Sequence, residues 1–319
     1  PAVASPETGG EAAERFTILV PIGRPDRAAR YVRLAAAIGR FHDDDPLVRV
    51  LTITQIPDQT PFEMDDVQQT AASRVERIEQ HLNTADVDVD YAVAGHICRD
   101  ISFDILQTAR EDRPDAILMG YPETHHEVAE TVELKAPCDV YFASGFPDEG
   151  PDFSAVTIGA GGGPHHAGLL PIVEQMAAAG SEIHLVTVSP EGGGGGVSER
   201  PGETIAELSA VPELQIRSVS AASVAAGLVD VAEETGGVLF IGATRTRRLR
   251  RWVFGSTPDR VIDLAETAGV PVIVFATSRG VSGPIEDYTY PVIRRIRRFF
   301  SDSIPSRVDL GGSEPESER

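Results

Sequence analysis

The segment 239–262 contains residue types at a spacing that suits phosphate binding. An apolar run ends at Gly242, seven residues with five arginines follow at 245–251, and a Gly-Ser-Thr triplet occupies 255–257. The free backbone N–H groups and the dipole at the start of a helix attract anions, and arginine adds paired N–H donors for phosphate oxygens. The segment is therefore a candidate phosphate-binding loop.

Within this loop, Gly255 allows close approach of the backbone to a ligand, and Ser256 and Thr257 carry hydroxyl groups at the expected helix start. The same hydroxyl residues also fit an ordinary helix N-cap, with Pro258 at an early helical position. The arginine run has three interpretations: it binds phosphates, it docks on an acidic partner or lipid, or it balances the acidic surface around it. The residues alone leave these alternatives open.

Other side chains that could carry chemistry lack the required spacing. The histidine pairs at 125–126 and 165–166 lie in expected loops, and no carboxylate stands at metal-ligand spacing, so we predict no metal site. Cys98 and Cys138 form no CxxC pair, which argues against a zinc site and a disulfide framework. No nucleophile elbow, HExxH or Walker sequence occurs. We therefore predict no catalytic residues and expect that the chain is not an enzyme.

The amino-acid composition indicates which classes of partner and which cellular compartment suit the chain. The 319 residues carry a net charge of -21, and every basic residue except Lys135 is arginine. Abundant carboxylates with almost no lysine indicate a halophilic, cytoplasmic setting at high salt, and the acidic surface excludes general nucleic-acid binding. No apolar run is long enough to span a membrane. Because the chain begins with Pro1 rather than methionine, we expect it to be part of a longer protein.

Short apolar strands alternate with helical patterns twice along the chain. The first pass has strands at 16–23, 48–56, 87–95, 116–122 and 139–145 and helices at 26–40, 64–82 and 100–113. The second has strands at 153–160, 182–190, 214–221, 238–244 and 271–278 and helices at 168–180, 203–211, 223–235 and 257–269. The offset is about 135 residues, which indicates an internal repeat. We therefore predict an α/β fold of two doubly wound, Rossmann-like parallel sheets.

These patterns divide the chain into four parts. Residues 1–14 are an expected disordered leader, 15–150 form the first repeat, 151–280 form the second, and 281–319 hold a basic amphipathic helix (290–304) and an acidic tail. Because an isolated helix of this length is marginal, it must pack on the domains, on an acidic groove of a second copy in a homodimer, or on an anionic membrane surface. We favour docking on protein, since high salt weakens attraction to lipid.

The second repeat resembles the universal stress protein family, which follows its fourth strand with Gly-x2-Gly-x9-Gly-Ser/Thr. Gly242 matches the first glycine, Arg245 replaces the second, and Gly255 with Ser256 matches the last pair. In that family the loop binds ATP phosphates, so the resemblance implies an adenine-nucleotide site in the second repeat. The implied binding residues are Gly242, Arg245, Gly255, Ser256 and Thr257. Gly159 and Ala160 are added because they begin the segment 159–166, which follows the repeat's first strand where doubly wound sheets bind ligands, although this segment also fits a flexible loop.

Three departures from the family pattern weaken the implied nucleotide site. ATP-binding members carry an aspartate just after the first strand, whereas 21–25 and 158–163 contain no acid. Arg245 occupies a position where glycine allows close approach, and the first repeat lacks the loop. The resemblance therefore implies weak nucleotide binding or none in the second repeat, and none in the first.

A narrower resemblance lies in "RFTILVPIGRPDRAARYVRLAAAIG" (15–39) and "IPDQTPFE" (56–63). Both are similar to stretches of the paired stress-protein-like domains at the cytosolic C-terminus of haloarchaeal amino-acid permeases. This implies a regulatory module attached to a transporter membrane domain at the inner face of the membrane. The alternatives are a free-standing tandem ATP-binding stress protein and, as a third class, a slow nucleotide hydrolase with no identifiable base.

Members of the universal stress protein family commonly dimerise through their last strands. The resemblance therefore implies that strands 139–145 and 272–277 pair antiparallel and join the two repeats as an internal pseudo-dimer. Such pairing would satisfy two otherwise open strand edges.

Overall fold

The computed structural model describes residues 15–57, 59–62, 64–121, 126–160, 164–190, 211, 214–243, 257–277 and 308–309. The first half contains strands β1 (Thr17–Ile22), β2 (Leu47–Gln55), β3 (Asp90–Cys98), β4 (Ala116–Gly120) and β5 (Asp139–Ser144). Its helices are α1 (Ala28–Gly39, after a 3-10 turn at Pro25–Arg27), α2 (Asp65–Ala85), α3 (Ile101–Asp112) and α4 (His126–Lys135).

The second half repeats the alternation of strands and helices. Its strands are β6 (Ala155–Gly159), β7 (Glu182–Pro190), β8 (Gln215–Ala221), β9 (Val238–Gly242) and β10 (Val272–Ala276). Its described helices are α5 (Pro164–Ala178), α6 (Val224–Thr235) and α7 (Thr257–Ala268). A short strand, β11 (Val308–Asp309), follows near the C-terminus.

All eleven described strands belong to one sheet with the order β11-β3-β2-β1-β4-β5-β10-β9-β6-β7-β8. Neighbouring strands within each half are parallel, whereas β5 and β10 pair antiparallel with Phe142 opposite Val274. Each half therefore has the doubly wound order, and the halves meet at their fifth strands. This confirms the predicted fold class and the predicted antiparallel junction.

Helices cover both faces of the sheet and create two main apolar cores. One core lies between the sheet and α1, α2 and α5, and the other lies between the sheet and α3, α4, α6 and α7. Strand β1 shows why its sequence is almost wholly apolar: Ile18 and Val20 belong to the first core and Leu19 to the second. A parallel strand buried on both faces needs this continuous pattern rather than alternation.

Local sequence signals set several helix starts. The Asp100 side chain accepts a hydrogen bond from the Phe103 N–H at 3.0 Å and caps α3. The Ser223 hydroxyl does the same for α6 by accepting from the Ala226 N–H at 3.1 Å. Each cap satisfies one backbone donor that the first turn leaves unpaired. These caps place both helices close to their predicted starts.

Two expectations about loops were wrong. His126 begins α4, and His165 and His166 lie within α5, so none of these histidines is in a loop. The missed signal for α4 is the spacing of Ala129 and Val132, which are three residues apart and both buried. The start of α5 is also four residues earlier than expected, where Pro164 suits the first helical position.

Other differences concern the ends of the chain and one strand start. Strand β3 begins at Asp90 rather than 87, after Asp86 ends α2 in a left-handed conformation with φ 48°. Strand β11 was not predicted. The leader 1–14, most of the expected helix 203–211 and the basic helix 290–304 lie outside the described residues. The four-part domain division stays a prediction.

Candidate functional site

The carboxyl ends of β6 and β9 lie side by side in the second half. The two strands are parallel neighbours with Ile158 opposite Phe240, and β7 continues the sheet on the other side of β6. In doubly wound sheets, ligands bind where strand connections leave in opposite directions, outside these carboxyl ends. The structure thus brings Gly159, Ala160 and Gly242 to the same end of the sheet, at the switch point between the two strands.

The remaining predicted nucleotide-binding residues are in the segment that follows Gly242. Thr257 is the first residue of α7, as predicted. Arg245, Gly255 and Ser256 lie outside the described residues, so their part in a phosphate loop stays a prediction. The confirmed feature is the placement of a helix start after β9, which provides free N–H groups of the kind that attract anions.

The close approach of helix α6 explains why position 159 is glycine. A Cβ atom there would lie 3.0 Å from a methyl carbon of Leu228 and 3.4 Å from a methyl carbon of Ile241. This is tighter than ordinary carbon contacts in a packed core. Gly159 therefore has a packing role between β6, β9 and α6, and Ala160 and Gly242 are the described residues at the end of the sheet that a ligand would meet.

The equivalent end of the sheet in the first half is closed by a tyrosine. The Tyr31 hydroxyl lies directly against Gly120, where it would clash with any added Cβ atom. Gly120 is the last residue of β4, and β4 pairs with β1 as β9 pairs with β6. The Tyr31 side chain therefore covers the carboxyl end of β4 at Gly120, beside the first half's switch point.

A groove of about 1160 Å³ runs between α1, α4 and α7. Its lining combines Arg27 of the 3-10 turn, Arg30 of α1 and Lys135 of α4 with carboxylates of α4 and α7. Those carboxylates are Glu127, Glu130, Asp259, Asp263 and Glu266. Of the predicted nucleotide-binding residues that the structure describes, Gly159, Ala160 and Gly242 do not line this groove. Sequence reasoning missed it because its walls come from segments far apart in the chain.

Two hydrogen bonds tie the halves together near this groove and at the β5–β10 junction. The Tyr121 hydroxyl donates to the Asp259 carboxylate, and Thr277 Oγ1 donates to Asp139 Oδ1 at 3.0 Å. Both bonds join a residue of one half to a residue of the other. They fix the relative position of α7 and the first half, and hence the shape of the groove.

The described residues offer little for catalysis. Burial raises the pKa of the Cys98 and Cys138 thiols to about 12, so both are protonated and poorly nucleophilic at neutral pH. His96 Nδ1 and Asp104 Oδ2 are 2.8 Å apart, but their side chains are only 1% and 3% exposed. Among the described residues no group of three His, Cys, Asp or Glu side chains could hold a metal ion.

Known proteins were compared with the chain at the level of sequence and of structure. No protein-family model and no curated protein matches it. Among solved structures, a universal stress protein from Archaeoglobus fulgidus DSM 4304 is 16% identical with a TM-score of 0.55, over 81% of this chain and 95% of that one. The chain has the universal stress protein fold.

Two further structures overlap less well with this universal stress protein fold. The cytoplasmic domain of a prokaryotic cation chloride cotransporter is 13% identical with a TM-score of 0.45, over 83% of this chain and 96% of that one. A universal stress protein in complex with cAMP is 19% identical with a TM-score of 0.31, over 40% of this chain and 98% of that one. Their low TM-scores add nothing to the assignment of the fold. No helix among the described residues is both long and apolar enough to cross a bilayer.

Proposed function

We propose that this chain is a non-enzymatic regulatory module that binds an adenine nucleotide weakly through its second half and acts on an amino-acid transporter. The observation that carries the nucleotide part is the difference between the two switch points. Tyr31 closes the first against Gly120, whereas Ala160 and Gly242 stand at the second, followed by a segment with five arginines.

The electrostatics of the second switch point favour an anion. Helix α7 starts at Thr257, so its free N–H groups and the positive end of its dipole lie there. The five arginines at 245–251 supply guanidinium groups, each of which can donate two hydrogen bonds to phosphate oxygens. No acid follows β6 between 159 and 163 to repel phosphate or to bind a ribose hydroxyl. We therefore expect the phosphates to contribute most of the affinity and the nucleoside to contribute little.

A non-catalytic role is supported by where the reactive groups lie. The two thiols are protonated at neutral pH, and the His96–Asp104 pair is buried away from any substrate. The described residues at the carboxyl ends of β6 and β9, Gly159, Ala160 and Gly242, carry no base or nucleophile. We therefore expect binding to produce a conformational signal rather than a reaction.

A carboxylate placed at the second switch point should abolish nucleotide binding. We expect Ala160→Glu and Gly255→Glu to reduce ATP affinity at least about tenfold, because a negative charge would face the phosphates. Isothermal titration of the intact 319-residue chain with Mg-ATP measures this effect. The matched control is Gly23→Glu, since Gly23 follows β1 in the first half and an added Cβ meets nothing within 4 Å.

The outcome of that titration shows which half of the chain binds the nucleotide. Retained affinity in Gly23→Glu with lost affinity in Ala160→Glu supports a site in the second half. Equal losses in all three variants would indicate a general charge effect on the acidic surface, and undiminished binding by Ala160→Glu would place the nucleotide elsewhere.

The transporter part of the proposal is supported by the two stretches that resemble permease-associated domains. They lie at the same edge of the sheet, because β1 and β2 are parallel with Ile22 opposite Thr52 and each stretch reaches beyond its strand's carboxyl end. The second stretch is anchored by Phe62, which is fully buried under the Arg99 guanidinium at 4.2 Å from the ring centroid. Both stretches therefore reach the carboxyl ends of β1 and β2, next to the first switch point.

The complete gene tests this partner. If the chain is a transporter's cytoplasmic module, the reading frame upstream of Pro1 should encode about a dozen apolar segments of roughly 20 residues each. Such segments would tether the module to the inner face of the cell membrane. A reading frame without them would favour the alternative, a free-standing tandem ATP-binding stress protein.

A further inference from the structure

The two edges of the sheet differ in whether a further strand pairs with them. At one edge, β11 pairs antiparallel with β3, placing Val308 opposite Ile97 and Asp309 opposite His96. At the other edge, β8 pairs with β7, and no described residue pairs with the outer side of β8. An edge strand of this kind presents a row of backbone N–H and C=O groups that can add another strand.

Strand β8 is also far more exposed than β3. None of its seven residues is buried, and the side chain of Ile216 is 60% exposed. In β3, by contrast, five of nine residues are buried, including Ile97 and Cys98. An exposed strand with alternating Ile216, Ser218 and Ser220 on one face, and without proline, lacks the usual features that prevent edge pairing.

The charge around β8 differs from that of the rest of the surface. The sixteen residues 214–229 contain no acid, in a chain with 49 acidic residues and a net charge of -21. The basic residue of this segment, Arg217, is 3.3 Å from Glu234 on α6. Repulsion between carboxylates opposes contact between two copies over most of the surface, and it is reduced along this acid-free segment.

We propose that β8 pairs antiparallel with β8 of a second copy of this chain. A register centred on Ser218 pairs all seven residues, with Ser218 opposite its own copy, Arg217 opposite Val219 and Ile216 opposite Ser220. A register centred on Arg217 would instead place two arginines directly opposite each other, which is unfavourable. The favoured arrangement is a two-fold symmetric dimer that extends the sheet through both copies.

The two edges differ in how much of each strand is paired on its outer side. Strand β11 pairs with Ile97 and His96, two of the nine residues of β3, whereas no described residue pairs with the outer side of β8. Because a two-fold β8 pairing uses the same edge of both copies, this interface closes at a dimer. The proposal is independent of nucleotide binding, because β8 is separated from β6 by β7.

A charge-swap experiment on the full 319-residue chain tests the interface. Ser218 is exposed and would face its own copy across the two-fold axis, with Cβ atoms about 5 Å apart. We expect light scattering after size-exclusion chromatography to show a dimer for the wild type. Ser218→Lys and Ser218→Glu should each be monomeric, and their equimolar mixture should recover a dimer containing one copy of each variant. Gln69→Lys, on the exposed side of α2, is the matched charge control and should remain dimeric.

Each result has a defined consequence. Recovery of the dimer in the mixture supports β8 pairing, because misfolding of either variant cannot be corrected by the other. The recovery should weaken as salt screens the Lys–Glu attraction. A monomeric wild type, or single variants that remain dimeric, would overturn the proposal, and in the second case the copies associate through another surface.

Discussion

Replacing Phe275 with alanine is expected to lower the free energy of unfolding by about 4 kcal/mol. Phe275 is fully buried on β10, the strand that joins the halves, and its ring centroid is 5.1 Å from that of Tyr141 on β5. The substitution removes apolar burial and leaves a cavity that the paired strands cannot close, because their backbone hydrogen bonds fix their separation. The aromatic contact with Tyr141 is lost as well.

Guanidinium-induced unfolding followed by circular dichroism measures this loss. Phe103→Ala is the control, since Phe103 is 37% exposed on α3 and its truncation should cost no more than about 1 kcal/mol. If Phe275→Ala also costs only about 1 kcal/mol, the β5–β10 junction is not a tightly packed part of the core. A separation of the unfolding curve into two transitions would show that the junction couples the halves.

The fold was largely predictable because its strands have a simple sequence pattern. Parallel strands buried on both faces are short apolar runs, as in β1, β4 and β10, and their alternation with helical spacing identifies the doubly wound order. The junction between β5 and β10 came instead from a family resemblance. The missed elements were α4, whose apolar face is narrow, and β11, which is two residues long and forms only through its pairing with β3.

The candidate site was predictable only in part. Gly159, Ala160 and Gly242 could be brought together because the carboxyl ends of neighbouring parallel strands meet at one edge. The closure of the first switch point by Tyr31 could not be predicted, since it depends on the rotamer of a helical side chain relative to Gly120. The mixed-charge groove was missed for a similar reason: α1, α4 and α7 meet only in the tertiary structure.

The buried pair of His96 and Asp104 is expected to contribute strongly to the stability of the fold. Asp104→Leu is expected to destabilise the fold by about 3 kcal/mol, because it leaves the imidazole buried without the carboxylate that lies 2.8 Å from it. The substitution also removes an acid from the first turn of α3, where the helix dipole favours it. Asp26→Leu is the control: its partner Arg24 is 62% exposed, and such surface pairs contribute about 0 to 1 kcal/mol.

A double-mutant cycle distinguishes the pair from two independent residues. Because replacing both partners of a buried hydrogen bond by apolar groups leaves no orphaned polar atom, His96→Leu with Asp104→Leu should be less destabilising than the sum of the single variants by at least about 1 kcal/mol. Urea unfolding of the four proteins provides the comparison. Additive losses would contradict the prediction and would mean that each side chain is held by its other neighbours. A double variant that is less destabilised than the sum of the single variants would show that the pair stabilises the connection between β3 and α3.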